Sequence, residues 1–348
     1  MRVGEARAAA ADWVHRHAAH IPDLRGAYLV GSTVALADDA PLPLGSDLDV
    51  VIVTGAHDVP VTPGKVAHDG VLLEIALRPW PVLADPDRVS EDYHLAHGLR
   101  ADTIINDTTG ELTNLQAVVG SRFNHESWVR RRCANARRKV ERGFESIDPG
   151  TPWHDQVTAW LFATGVITHI LLVAALRNPT VRLRYLAVRE VLDEYADLAM
   201  YPRLLDLLGC RELTPEAADR HLAGVEAAFD AAADIAATPF HFSSDISAPA
   251  RPIAIDASRE LIRRGDHREI VFWLVATSAR CQKILAFDGT RSAQRKHAEA
   301  FDALLEDLGI ERSADLITRA GDARSLLPEV WEAAESIIAA HPDVLHDR

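Results

Sequence analysis

The hydrophobic pattern changes period along this chain. Residues 2–19 are alanine-rich, with apolar positions at three- and four-residue spacings, and predict a helix that stops at Pro22. Three short apolar runs follow, 27–30 (AYLV), 48–53 (LDVVIV) and 71–77 (VLLEIAL), each bounded by turn-forming residues and each predicting a strand. Between the first two lie a brief segment, TVALADD, and a Pro/Gly-rich loop, APLPLGS. Beyond about residue 120 strand signals give way to long helical periodicity. The pattern therefore predicts an α+β fold: a small mixed sheet with helices over residues 1–118, then an all-α domain over 119–348. Within the latter, Thr214-Pro215 reads as an N-cap with proline at the first helical position, and 239–252 (PFHFSSDISAPARP) as a linker or surface loop.

Composition narrows the setting. A chain of 348 residues, 48% hydrophobic, is long enough for two domains with sizeable cores. The most apolar stretch, 161–176, is interrupted by Thr164, Thr168 and His169, so a buried core helix is expected there rather than a membrane span. The first residues lack the cationic head and apolar run of a signal peptide, which predicts a cytoplasmic protein with no membrane partner. Cys133, Cys210 and Cys281 are widely separated and odd in number, and read as packing residues. The net charge of −14 disfavours a nucleic-acid partner held through its phosphates and suits a small, even cationic, substrate.

The chemistry concentrates in Ser46-Asp47-Leu48-Asp49-Val50. Strand side chains alternate, so Asp47 and Asp49 project from one face while Leu48 and Val50 project from the other. Adjacent carboxylates repel unless a cation joins them, and such hard oxygen ligands suit Mg²⁺. Glu74 is the lone carboxylate of VLLEIAL and, on a neighbouring strand, would complete a three-carboxylate site. Gly31-Ser32 ends the first strand before an expected helix. Its glycine admits close backbone approach and its hydroxyl and amides suit a phosphate.

Gly31-Ser32, then Asp47-Leu48-Asp49, then Glu74 in an apolar strand resembles the signature of the DNA polymerase β-like nucleotidyltransferase superfamily, over roughly residues 25–80. With a helical domain following, the chain resembles the aminoglycoside and lincosamide antibiotic-modifying branch. The resemblance implies that Asp47 and Asp49 bind metal, two Mg²⁺ ions in all, and that Gly31 and Ser32 hold the triphosphate of ATP or another NTP. Glu74 is then a third ligand or the general base. The reaction implied is transfer of a nucleoside monophosphate, AMP by expectation, to a hydroxyl of a small-molecule acceptor, with release of pyrophosphate. The helical domain would close over the cleft and bind the acceptor. Protein AMPylation by an antitoxin-like enzyme, nucleotide oligomerisation, and a nucleotide-binding pseudoenzyme are the alternatives.

Residues 122–142 hold Arg130, Arg131, Arg132, Arg137, Arg138, Lys139 and Arg142. As a helix they place Val129, Cys133, Ala136, Val140 and Phe144 on one stripe and Arg131, Asn135, Arg138 and Arg142 on another. Two readings stand: a cationic face toward triphosphate, with Lys139 as the point charge, or a solvated face paired with acidic neighbours. His15 and His17 cannot share a helix face; His94 and His97, near Asp92, lack a third spaced ligand for zinc. Asp107 reads as a turn residue, and Trp153, Trp160 and Trp273 as core.

Overall fold

The computed structural model describes residues 1–43, 45–56 and 62–346, so Leu44 of the APLPLGS loop lies outside the described residues. The protein is α+β, with a mixed five-stranded sheet followed by helices. It divides into two compact units, Met1–Arg132 with Asp343–Arg348, and Cys133–Pro342. The sequence boundary at 118/119 was set by loss of strand signal, whereas the division between units falls within a continuous helix.

In the first unit, helix α1 (Val3–His17) lays Ala6, Ala9, Ala10, Trp13 and Val14 on one face of the sheet. The small alanine side chains let its backbone approach closely. The expected strands form β1 (Leu24–Val30) and β2 (Leu48–Thr54), then β3 (Gly64–His68), β4 (Val71–Pro79) and β5 (Ile104–Asp107), in the order β3-β4-β2-β1-β5. Two of these, β3 and β5, were not foreseen. They are the edges, short and only partly buried, and such strands carry little apolar alternation. The β2–β4 pair is parallel and the other three are antiparallel. Leu48, Val50 and Ile52 of β2 and Val71, Leu73 and Ile75 of β4 form the inward rows beneath α1.

β3 and β4 are joined by Asp69-Gly70, whose φ values of 48° and 79° are those of a tight hairpin turn. Three helices complete the unit's second half, α2 (Pro86–Glu91), α3 (Tyr93–Gly98) and α4 (Glu111–Phe123). Asp85 and Asp92 cap the first two by accepting backbone N–H bonds. Asp107 accepts from the Gly110 and Thr113 amides and the Thr113 hydroxyl, the turn role expected of it.

Helix α5 (Glu126–Glu145) starts in the first unit and continues in the second. The second unit also contains α6 (Trp153–Ala174), α7 (Arg184–Glu194), α8 (Met200–Leu208), α9 (Pro215–Ile235), α10 (Ala257–Arg263), α11 (Val271–Asp288), α12 (Arg291–Asp307) and α13 (Ser313–Ala340). Its core is built on α6 and α11: α13 and α7 pack on α6, and α9 and α12 on α11. α6 is long and apolar enough to cross a membrane, but 78% of its most apolar window is buried inside the protein. Thr214 caps α9 by accepting from Ala217 N at 3.2 Å, as its sequence position suggests. The three cysteines are buried and unpaired with one another. Residues 239–252, expected as a linker or surface loop, contain two short 3₁₀ turns, Ser243–Asp245 and Ala248–Ala250, with Phe242, Ile246 and Ala250 buried and the Phe240 ring stacked on Phe242 at 5.3 Å.

Candidate metal centre

The sheet register assembles the carboxylates. On adjacent strands, Asp49 of β2 faces Glu74 of β4 across the parallel pair, and Glu74 faces Lys65 of β3 across the antiparallel one. Cross-strand partners share a sheet face, so Lys65, Glu74 and Asp49 form one row, opposite the face that packs on α1. Asp47, two residues before Asp49, joins the same side. One oxygen from each of Asp47, Asp49 and Glu74 lies within 4.8 Å of the others. Like charges at that separation repel by about 3 kcal/mol per pair at an effective dielectric constant of about 20, so the cluster favours a cation. Three hard oxygen donors at half-buried positions fit Mg²⁺.

Sequence reasoning missed the cation already there. The Lys65 ammonium donates to Asp47 Oδ2 at 2.7 Å and to Glu74 Oε2 at 2.5 Å, on a side chain only 5% exposed. A signal was available. Asp-Gly between two runs with β character marks a two-residue hairpin, and counting outward from Asp69-Gly70 pairs position 68 with 71 and position 65 with 74.

Gly31 closes the other side. Its φ of 82° and ψ of −165° lie in a region open essentially to glycine alone. A Cβ built there would stand 1.8 Å from Asp49 Oδ2, so the missing side chain is what admits the carboxylate. Ser32 is exposed and begins a short 3₁₀ turn, Ser32–Ala35, where a helix was expected. Arg7 of α1 gathers that turn by donating to the carbonyls of Thr33, Val34 and Leu36 and pairing with Asp38 at 2.6 Å.

The apolar stripe predicted on α5 is present: Val129, Cys133, Ala136, Val140 and Phe144 are all buried. Several of the arginines have structural partners. Arg132 is buried, donates to the Phe123 carbonyl and lies over the Phe123 ring at 4.3 Å. Arg130 pairs with Glu126 and Arg137 with Glu141, while Arg131 covers Trp128. Lys139 is half-buried and belongs to the second unit, whereas Asp47, Asp49 and Glu74 belong to the first.

One other group of potential ligands occurs among the described residues, Asp12, His68 and Asp69. His68 Nε2 lies 2.8 Å from Asp12 Oδ2, and Arg16 holds the same oxygen at 2.7 Å. The hydrogen bond from His68 is the main cause that keeps the Asp12 carboxyl below its ordinary range. This group ties α1 to the end of β3. In the second unit a cavity of about 290 Å³ is lined by Trp153, Asp302, Glu306, Ile310 and Glu311. Trp153, expected as core, is only half-buried there, while Trp160 and Trp273 are core as predicted. Burial pushes the Asp302 carboxyl up, against a lowering hydrogen bond from Trp153.

The chain matches no protein-family model, no curated protein and no solved structure at a significant level.

Proposed function

We propose that this chain is a Mg²⁺-dependent nucleotidyltransferase that moves AMP from ATP to a hydroxyl of a small-molecule acceptor and releases pyrophosphate. The observation that carries the reading is the convergence of Asp47, Asp49 and Glu74 within 4.8 Å, with the Gly31 backbone pressed against Asp49. Asp47, Asp49 and Glu74 would hold the metal, which when bound supplies a Lewis acid for phosphoryl oxygens and lowers the proton affinity of an attacking hydroxyl. The chain's own part is to position. The sheet register sets Asp49 beside Glu74, the Gly31 approach pins Asp49, and exposed Ser32 offers a hydroxyl and amide to a phosphate. A cationic acceptor, such as an aminoglycoside-type antibiotic, is supported by the net charge of −14. A cytoplasmic setting belongs to the same reading.

The test is pyrophosphate release from each NTP with Mg²⁺ across a panel of aminoglycosides, lincosamides and polyols. Acceptor-dependent release is expected, falling about a thousandfold in Asp47→Asn or Asp49→Asn because both ions and geometry depend on these groups. Release without acceptor points instead to self-modification or nucleotide oligomerisation, and a nucleotide mass added to a partner protein to AMPylation. NTP binding with no release under any condition favours the pseudoenzyme.

A further inference from the structure

The short turn that begins at Ser32 has little apolar surface of its own. Ser32 and Ala35 are exposed, Val34 and Leu36 are half-buried, and Thr33 is buried. Its backbone closes it with a bond from Leu36 N to Thr33 O at 3.2 Å, and a side chain from another element does the rest. One nitrogen of Arg7, Nη2, donates to the carbonyls of Thr33, Val34 and Leu36 at 2.8, 3.1 and 2.9 Å, while Nη1 pairs with Asp38 Oδ1 at 2.6 Å. Carbonyl oxygens directed at one point repel one another, and the guanidinium makes their convergence favourable. Helix α1 delivers Arg7 there because its start is bonded along the same loop, Gly4 N to Asp38 O at 2.9 Å and Val3 N to Ala40 O at 3.0 Å. Ser32 is thus bracketed. Before it, Gly31 stands against Asp49; after it, the Thr33 carbonyl is held by Arg7. An exposed hydroxyl on backbone held from both sides has little freedom left to lose on meeting a ligand.

We propose that Arg7 is a positioning residue for nucleotide binding: by gathering residues 33–36 it fixes where Ser32 presents its hydroxyl, and so sets the affinity for the triphosphate. The proposal rests on the reading that Ser32 meets a phosphate group. Arg7 acts through the backbone of the turn, and contact with the nucleotide is left to Ser32. The planar fork matters as well as the charge. It serves the carbonyls from one nitrogen and the Asp38 carboxylate from the other, which the single nitrogen of an ammonium does not reproduce.

The experiment measures binding of the Mg²⁺ complex of each of the four NTPs to the full-length chain by calorimetry, without acceptor. The variants are Arg7→Met, Arg7→Lys, Ser32→Ala and the two double variants, each checked for fold by circular dichroism. Ser32→Ala alone should weaken binding of the preferred nucleotide about tenfold, and Arg7→Met about as much. Combined with Arg7→Met, the serine change should cost less than about twofold more, because a misplaced hydroxyl has little left to contribute. An arginine that served stability alone would leave the cost of Ser32→Ala at its full size. Arg7→Lys should recover part of the affinity, to within about threefold of the wild type, since it keeps a cation at the carbonyls. If Arg7→Met fails to fold, Arg7→Lys completes the same cycle with a smaller coupling. Additive costs, or wild-type affinity in the Arg7 variants while Ser32→Ala weakens binding, would overturn the role of Arg7 alone. A wild type that binds none of the four nucleotides, or Ser32→Ala with undiminished affinity, would overturn the reading of Ser32 itself, and the proposal with it.

Discussion

The sheet unit and the helical unit each enclose a group of charged side chains, and the two groups are closed differently. In the helical unit Arg189 donates to Glu269 at 2.6 Å and to Asp266 at 2.7 Å. The Tyr201 hydroxyl adds a 2.5 Å bond to Glu269, and Arg264 lies 3.9 Å from Asp266. Two arginines thus face two carboxylates, and Glu269 is almost fully buried among them. In the sheet unit Lys65 bridges Asp47 and Glu74, with Asp49 beside them, and all three carboxylates lie at part-exposed positions. The first group, centred on the buried Glu269, serves architecture, joining α7, α8 and the segment before α11. The second group, three carboxylates converging at part-exposed positions, is the one to which our proposal gives an ion.

The largest effect should come from unbalancing the closed group. Arg189→Met leaves Glu269 buried with one hydrogen-bonded partner fewer, and should lower unfolding free energy by about 3 kcal/mol in urea denaturation. Mn²⁺ binding by the folded protein should be unchanged; a parallel loss would dissolve the distinction between the two groups. Gly31→Ala should act instead on the carboxylates of the sheet unit. Alanine is strained at φ 82°, and its Cβ must push Asp49 aside. We expect a stability loss of about 1–3 kcal/mol and Mn²⁺ affinity reduced by about tenfold. Wild-type affinity in this variant would remove Gly31 from the site.

The smallest effect is one of pH. His97 is buried, and its imidazole is held well below its ordinary value of 6.5, first by burial and then by the charges of Arg100, His94 and Arg132. Folded His97 is therefore neutral where the unfolded chain begins to protonate. The unfolded state binds more protons below pH 6.5, so the stability due to a neutral His97 is present above that pH and is lost as pH falls through it. Between pH 7.5 and 5.5, urea midpoints should fall, and His97→Leu should flatten the slope by up to about 1.4 kcal/mol per pH unit. An unchanged slope would show that the other buried histidines carry the dependence.

Much of the candidate site was legible in local pattern. The two-residue strand period put Asp47 and Asp49 on one side, and Glu74 stood out as the only charge in its run. The apolar stripe of α5 followed from helical spacing, and the turn role of Asp107 from its place before Thr-Thr-Gly. What escaped was of two kinds. The edge strands β3 and β5 were too short and polar to announce themselves, and with β3 went Lys65, although the Asp69-Gly70 turn encoded its pairing. Within residues 239–252, read as a linker or surface loop, the burial of Phe242 and Ile246 was likewise not visible in local pattern.

By itself, then, the sequence determined whatever depends on periodicity and short-range turns. It set an α+β part before a helical part, two aspartates at the start of one strand, and a hairpin register that sets Lys65 against Glu74. Only the tertiary structure decided what depends on distant pairing. Nothing near Asp49 specifies that β4 lies beside β2 in parallel, so the meeting of Asp49 with Glu74 awaited the sheet. The close approach of Gly31 to Asp49, the burial of Arg132 on Phe123 and the pairing of Arg189 with Glu269 have the same origin. Each joins segments whose proximity is set by burial of the core, and the physical forces that bury a core act on the whole chain at once rather than on any short stretch of it.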